Sequence, residues 1–366
     1  MTSTITTGST VTGGPAPAEL RVGVTEEFLL LDPVTGDNVA GGDHGGPETA
    51  PGKISLSSGV CTDLRDVRTR LLAQRRRAAT AAADAGARLV AIGATPVGEA
   101  GQEPAADTSF LKIIGRYDLL ALDPAVCGMH VQVGVPDREL AVQVCNHLRV
   151  WLPVIQALTS NSPFAGGIDT GYASWRAVQL LRRPGVGPTP HFDTLADYET
   201  TLAGLRTYGV MLDGAGWHAR LAPTQPAVEV SVGDVCTDVD DAVLVTALVR
   251  AAVATAVTDV LDHRPAPKPQ DCIVEAAHWQ AARDGLDGEL VDLRLGRARP
   301  AWELIDEFFA TVSPALLFSG DLNLVVDELA RLRHTGDGAG RQRRIHQGTG
   351  DLRAVLAALA AWTTAG

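Results

Sequence analysis

Hydrophobic and polar residues alternate with a period of two along four short stretches of this chain, the spacing of half-buried β-strands. In Arg21–Leu31, Val22, Val24, Glu26 and Phe28 fall on one side, and Thr25 and Glu27 on the other. In Lys53–Ser57, Ser55 opposes Ile54 and Leu56. In Val131–Val135 and the residue before it, His130, Gln132 and Gly134 oppose three valines. In Ala227–Val232, Glu229 and Ser231 oppose Val228, Val230 and Val232. Side by side, these strands would make a sheet with one apolar face and one polar face. The polar face would carry Glu27, His130, Gln132 and Glu229. Such a face either meets solvent or binds a ligand, and carboxylates with a histidine can hold Mg²⁺.

Helical periodicity fills much of the rest. Thr62 or Asp63 caps a helix to about Ala85, with Leu64, Val67, Leu71 and Leu72 inward and the run Arg75-Arg76-Arg77 on the solvated side. Gly86 ends it, and a strand follows at Arg88–Ile92. Asp137 starts a helix to about Leu158. Further helices are predicted at Leu195–Leu205, Asp238–Leu261, Trp302–Phe309, Leu322–Arg333 and Asp351–Thr363. Pro184–Pro190 reads as a rigid loop and Pro265–Pro269 as a hinge. Strands come before and after long helices without regular βαβ alternation, which predicts an α+β fold with a mostly antiparallel sheet. Residues 1–19 are rich in Thr, Ser, Gly and Pro and read as a disordered tail, not a signal peptide.

Composition narrows the function. The chain has 366 residues, 45% of them hydrophobic, enough for a substantial core. Its net charge of −12 argues against a nucleic-acid surface, which needs clustered Lys and Arg. The Ala/Val-rich segment 242–260 reads as a buried helix, and no membrane partner is expected. Five cysteines without a C-x-x-C pair read as reduced thiols, consistent with a cytoplasmic protein. No strand–G-x-G-x-x-G–helix or P-loop pattern occurs, which disfavours those nucleotide sites. A Cys127–His130 nucleophile pair is disfavoured because residues three apart on a strand point differently.

Six blocks in order carry a resemblance: Gly23–Phe28, Cys127–Val135, Ser160–Arg176, Val228-Glu229-Val230 with Asp234, Trp279–Leu286 and Gly338–Arg343. Together they resemble the signature segments of the carboxylate–amine ligase family, the bacterial second-type glutamate–cysteine ligases. The resemblance implies a glutamine-synthetase-like core spanning 20–366 as one catalytic domain, a cytoplasmic homodimer, and ATP and Mg²⁺ as cofactors. It implies activation of an amino-acid carboxylate as an acyl phosphate, then displacement of phosphate by an amine. By the same resemblance, Glu27, Glu48, His130 and Glu229 are metal ligands. Glu27, His130, Glu229 and Arg220 are catalytic. Arg176 and Arg220 hold carboxylate or phosphate, which a guanidinium can grip through two nitrogens. Asn161, Asp169, Thr170, Ser174 and Arg176 line the substrate pocket, and Arg283, Arg341 and Arg343 close over the nucleotide.

The chain departs from the family pattern at the polar face. Thr25 and Ser55 stand where the family has Glu, Gln132 where it has His, and Ser231 where it has Arg. Ala277-His278-Trp279 replaces Asn-Arg-Trp. Two lost carboxylates weaken a site for several Mg²⁺ ions. Three functions remain open: a ligase with fewer metals or an unusual substrate, a relative performing ATP-independent acyl transfer or hydrolysis, and a non-catalytic binding partner.

Overall fold

A computed structural model describes residues 20–39, 48–50, 52–99, 115–210, 216–223 and 225–366. The expected tail at 1–19 lies outside the described residues. The main sheet contains β1 (Val22–Leu31), β2 (Glu48–Ala50), β3 (Lys53–Cys61), β4 (Arg88–Val90), β5 (Met129–Gly134), β6 (Ala219–Leu221) and β7 (Ala227–Val230). Their order is β6-β7-β5-β1-β3-β2, with β4 pairing to the C-terminal part of β1, and every pairing is antiparallel.

Register brings the polar positions together. Thr25 pairs with His130, Glu27 with Ser55, Gln132 with Glu229, and Glu229 with Arg220. Because side chains alternate along a strand, directly paired residues share a face. The opposite face is apolar: Val22, Val24, Val131, Val133, Val228 and Val230 are all buried. Helices α1 (Leu64–Asp84), α2 (Arg138–Leu148) and α6 (Val239–Leu261) cover it. Asp63, Asp137 and Asp238 cap these three helices by accepting hydrogen bonds from backbone N–H groups in the first turn. By length and composition α6 could cross a bilayer, but it is mostly buried within the chain, which accounts for its hydrophobicity.

The remaining helices are α3 (Leu152–Leu158), α4 (Trp175–Leu180), α5 (Leu195–Thr207), α7 (Asp271–Asp284), α8 (Ala301–Ser319), α9 (Leu322–Thr335), α10 (Gly338–Thr349) and α11 (Leu352–Thr363). The helix expected over Asp137–Leu158 is two helices. Pro153 supplies no backbone N–H and sits in the first turn of the second. α8 runs well past Phe309 and tolerates Pro314. Neither α7 nor α10 was expected.

Arg75 overturns the solvated reading of the arginine run. It lies one turn beyond Leu71 and Leu72, on the buried stripe of α1 with Ala78 and Ala82. Its guanidinium is fully buried and grips both oxygens of Glu26, at 2.9 and 2.5 Å. It also donates to the carbonyls of Cys236, Thr237 and Thr363. β1, α1, α11 and the segment before α6 thus meet at one charge pair. Arg75→Met leaves Glu26 buried without a partner and is expected to cost roughly 3–5 kcal/mol, read as a lower urea midpoint. Glu26→Leu combined with Arg75→Met should recover much of that loss.

Candidate active site on the polar sheet face

On the polar face, five side chains form a linked row. The Lys53 ammonium lies 2.9 Å from Glu27 Oε1, and the Gly128 N–H donates to Glu27 Oε2 at 2.9 Å. His130 stands between two carboxylates, Nδ1 3.1 Å from Glu229 Oε1 and Nε2 4.0 Å from Glu27 Oε2. Gln132 donates to Glu229 Oε2 at 2.7 Å. Arg220 bonds Glu229 Oε1 and donates to Ser231 Oγ at 2.7 Å.

These contacts set the charges. Burial works to raise the pKa of Glu27, but Lys53 and His130 outweigh it and hold the carboxyl well below its usual range. Burial also opposes ionisation of Glu229, yet His130, Arg220 and Gln132 bring it down to about 2. Burial disfavours a charged His130, but its hydrogen bonds to Glu229 and Glu27 win and raise its pKa.

Each carboxylate is already neutralised by a fixed cation, Glu27 by Lys53 and Glu229 by Arg220. Among the described residues, no group of three or more His, Cys, Asp or Glu side chains is placed to hold a metal ion. Glu48 pairs with Ile54 on the edge strand, and its side chain lies outside the described residues. Lys53 was missed in the sequence, although it shares the period of Ser55 and Ser57 and so lies on the polar face.

The loop from Asn161 to Arg176 is held from below by Asp234. This buried carboxylate accepts from the Asn161 N–H at 2.9 Å, Ser162 Oγ at 2.6 Å and Ser174 Oγ at 2.7 Å. Burial pushes its pKa up, against those bonds and the nearby Arg176. Ser174 also caps α4. Arg176 is buried and donates to the carbonyls of Ser231 and Val232. A Cβ at Gly128 would overlap the Arg176 guanidinium, and one at Gly93 would overlap the Asp234 carboxylate. These close approaches require glycine. The Asn161 amide donates to Ala91 and Val235 carbonyls and accepts from Thr237 and Gln342. Asn161, Ser174 and Arg176 therefore point into the protein and build the loop.

The loop tip is different. Asp169 is 42% exposed and takes two 2.8 Å bonds from Arg343, which also donates to the Tyr172 carbonyl. Thr170 Oγ1 donates to Pro163 at 2.9 Å. Arg283 bonds the Gly171 carbonyl and lies over the Tyr172 ring. Two of the three arginines expected over the nucleotide thus grip the tip. The third, Arg341, bonds Asp241 on α6. Cys127 is buried, and burial pushes its thiol pKa up, which removes it as a nucleophile.

The sequence profile of glutamate–cysteine ligase family 2 matches residues 21–358. The chain belongs to that family. It is 54% identical over 359 residues to the "Putative glutamate--cysteine ligase 2" of Salinispora tropica, an alignment spanning 94% of this chain and 95% of the relative. This family 2 chain also resembles solved structures. A Francisella tularensis glutamate–cysteine ligase in complex with AMP matches with a TM-score of 0.64 at 11% identity, covering 95% of this chain and 89% of that one. The ligase PafA in complex with the ubiquitin-like protein Pup matches with a TM-score of 0.51 at 12% identity, covering 93% and 67%. At such identities the likeness is one of fold, and that fold is glutamine-synthetase-like. The chain is an enzyme of an ATP-dependent carboxylate–amine ligase family.

The Glu229 contacts carry a pH signature. A carboxyl whose pKa falls from 4.5 to about 2 on folding contributes stability that is complete above 4.5 and lost as pH falls toward 2. His130, raised on folding, contributes with the opposite sign: its share is complete at low pH and lost as pH rises through its folded value. Urea midpoints between pH 4.5 and 2 should therefore fall more steeply for the wild type than for Glu229→Gln. Parallel slopes would contradict the assignment.

Proposed function

We propose that this chain forms an amide of the γ-glutamyl type from an amino-acid carboxylate and an amine, with ATP as the phosphoryl donor. The observation that carries the reading is the row Lys53–Glu27–His130–Glu229–Arg220 on one sheet face of a family 2 ligase. In the first step a carboxylate oxygen attacks the γ-phosphorus, ADP leaves, and an acyl phosphate forms. In the second the amine nitrogen attacks the acyl carbon, the bond to phosphate breaks, and the nitrogen gives up a proton. Transferring a phosphoryl group spreads negative charge over several oxygens, which fixed cations stabilise. Lys53 and Arg220 supply that charge here, and Glu27 and Glu229 keep both cations in place. Mg²⁺ accompanies ATP in this reading without a protein cage of its own. The exposed tip with Asp169, Thr170 and Tyr172 selects the acyl donor. A cytoplasmic homodimer goes with the family resemblance.

Calorimetric titration with a non-hydrolysable ATP analogue, with and without Mg²⁺, tests the nucleotide half of the reading. Binding below about 1 mM is expected. No binding in either condition would leave an ATP-independent enzyme or a partner protein. Lys53→Met should weaken the analogue by about tenfold, the loss of one charge-assisted contact. Release of ADP with L-glutamate and a panel of amines, L-cysteine first, then tests the chemistry.

A further inference from the structure

We propose that His218 is the general base that takes the amine proton in the amide-forming step, its reactive nitrogen set by a relay through His278 to Gln156. The inference rests on the ligase reading above.

His218 belongs to the polar face. Trp217, Ala219 and Leu221 are buried in the core, so His218 and Arg220 share the other side. The Ser231 N–H donates to the His218 carbonyl at 2.9 Å, which extends the β6–β7 pairing past Arg220 and Glu229. His218 thus continues the row toward the anchored loop, whose Arg176 donates to the Ser231 carbonyl.

The tautomer follows from the hydrogen bonds. Gln156 Nε2 donates to the His278 carbonyl at 3.0 Å, so its amide oxygen is the atom 2.6 Å from His278 Nδ1. An amide oxygen only accepts, so His278 Nδ1 carries the proton and Nε2 is left as an acceptor. That Nε2 lies 3.3 Å from His218 Nδ1. His218 Nδ1 must then be the donor, and the lone pair of its other nitrogen, Nε2, is free. Among the described residues no hydrogen bond to that nitrogen is present, and the residue is half-buried.

Its surroundings keep the ring neutral. Burial comes first, then His278 on α7, Arg176 on α4 and Arg220 on β6, and all four lower its pKa. Burial, with Arg149, lowers His278 to about 3. A relay of neutral rings needs no proton from solvent to hold its orientation.

The step balances without a further reagent. As the amine nitrogen bonds to the acyl carbon it acquires positive charge and becomes acidic. His218 Nε2 accepts its proton while the acyl–oxygen bond to phosphate breaks, and the imidazolium passes the proton to the departing phosphate or water. His278 and Gln156 are positioning residues.

Two measurements decide it. Nitrogen-15 NMR of the histidine-labelled full chain at neutral pH should show His218 protonated on Nδ1 alone. Protonation on Nε2 overturns the proposal whatever the activity. Activity is then compared with L-glutamate as the acid and two nucleophiles. L-cysteine carries an ammonium group, which must lose one proton before attack and leaves a weakly acidic nitrogen in the adduct, whereas hydroxylamine is unprotonated at neutral pH and its less basic nitrogen, once bonded to the acyl carbon, is acidic enough to release its proton to water unaided. His218→Gln should lower amide formation with L-cysteine by about 100-fold or more, while hydroxamate formation stays within about threefold. His278→Leu should lower only the L-cysteine reaction and release the tautomer. Equal losses with both nucleophiles, or no loss, would overturn the role of His218. A wild type that yields no hydroxamate from any acid would instead remove the ligase reading and this proposal with it.

Discussion

The buried Glu26–Arg75 pair fixes where everything else sits. Taking two charges out of water is costly, and the cost is met here by full pairing: two guanidinium–carboxylate bonds and three backbone carbonyls around one arginine. Half of that arrangement is worse than none. The central strand, the first helix, the end of the last helix and the turn before α6 must therefore arrive together. Because Glu26 and Glu27 are neighbours on one strand, anchoring the first beneath the sheet aims the second above it.

Above the sheet the governing quantity is charge balance. Glu27 and Glu229 would repel each other and attract metal if left alone, but Lys53 and Arg220 neutralise them and His130 bridges the gap. Thr25 and Ser55 stand beside this row where the family pattern has glutamates, and they remove the carboxylates that would otherwise compete for the same cations. The face is thus a set of paired ions with polar neighbours.

The sheet was readable because period-two alternation is a local signal, and antiparallel register then had one solution that kept valines inside. The charged helix face misled, because three arginines in a row look alike in sequence while a helix turns 100° per residue and buries one of them. α10 escaped notice because its first turn contains Gly338 and Gly340, poor helix formers. A Cβ at 338 would collide with Asn161, so packing decides that position and propensity does not. His218 was hidden because it sits just before a three-residue strand, too short for alternation to show, and its relay partners His278 and Gln156 lie 60 and 62 residues away in the chain. Asp234 stood in a matching segment, but that it holds the loop emerges only when Asn161, Ser162 and Ser174 converge on it.

That convergence divides the 161–176 loop into a stem and a crown. Stem residues are committed: replacing Ser162, Ser174 or Arg176 disturbs a buried carboxylate, and even Gly93 and Gly128 have no room to vary. The crown, from Asp169 to Tyr172, lies at the surface, held by two arginines from α7 and α10 and, through Thr170, by the Pro163 carbonyl, and none of its side chains reaches Asp234 in the bonds described. Changes there leave the stem intact. Relatives built on this plan can diversify what they admit by rewriting four residues, and directed evolution of new acceptance has a short, separable target.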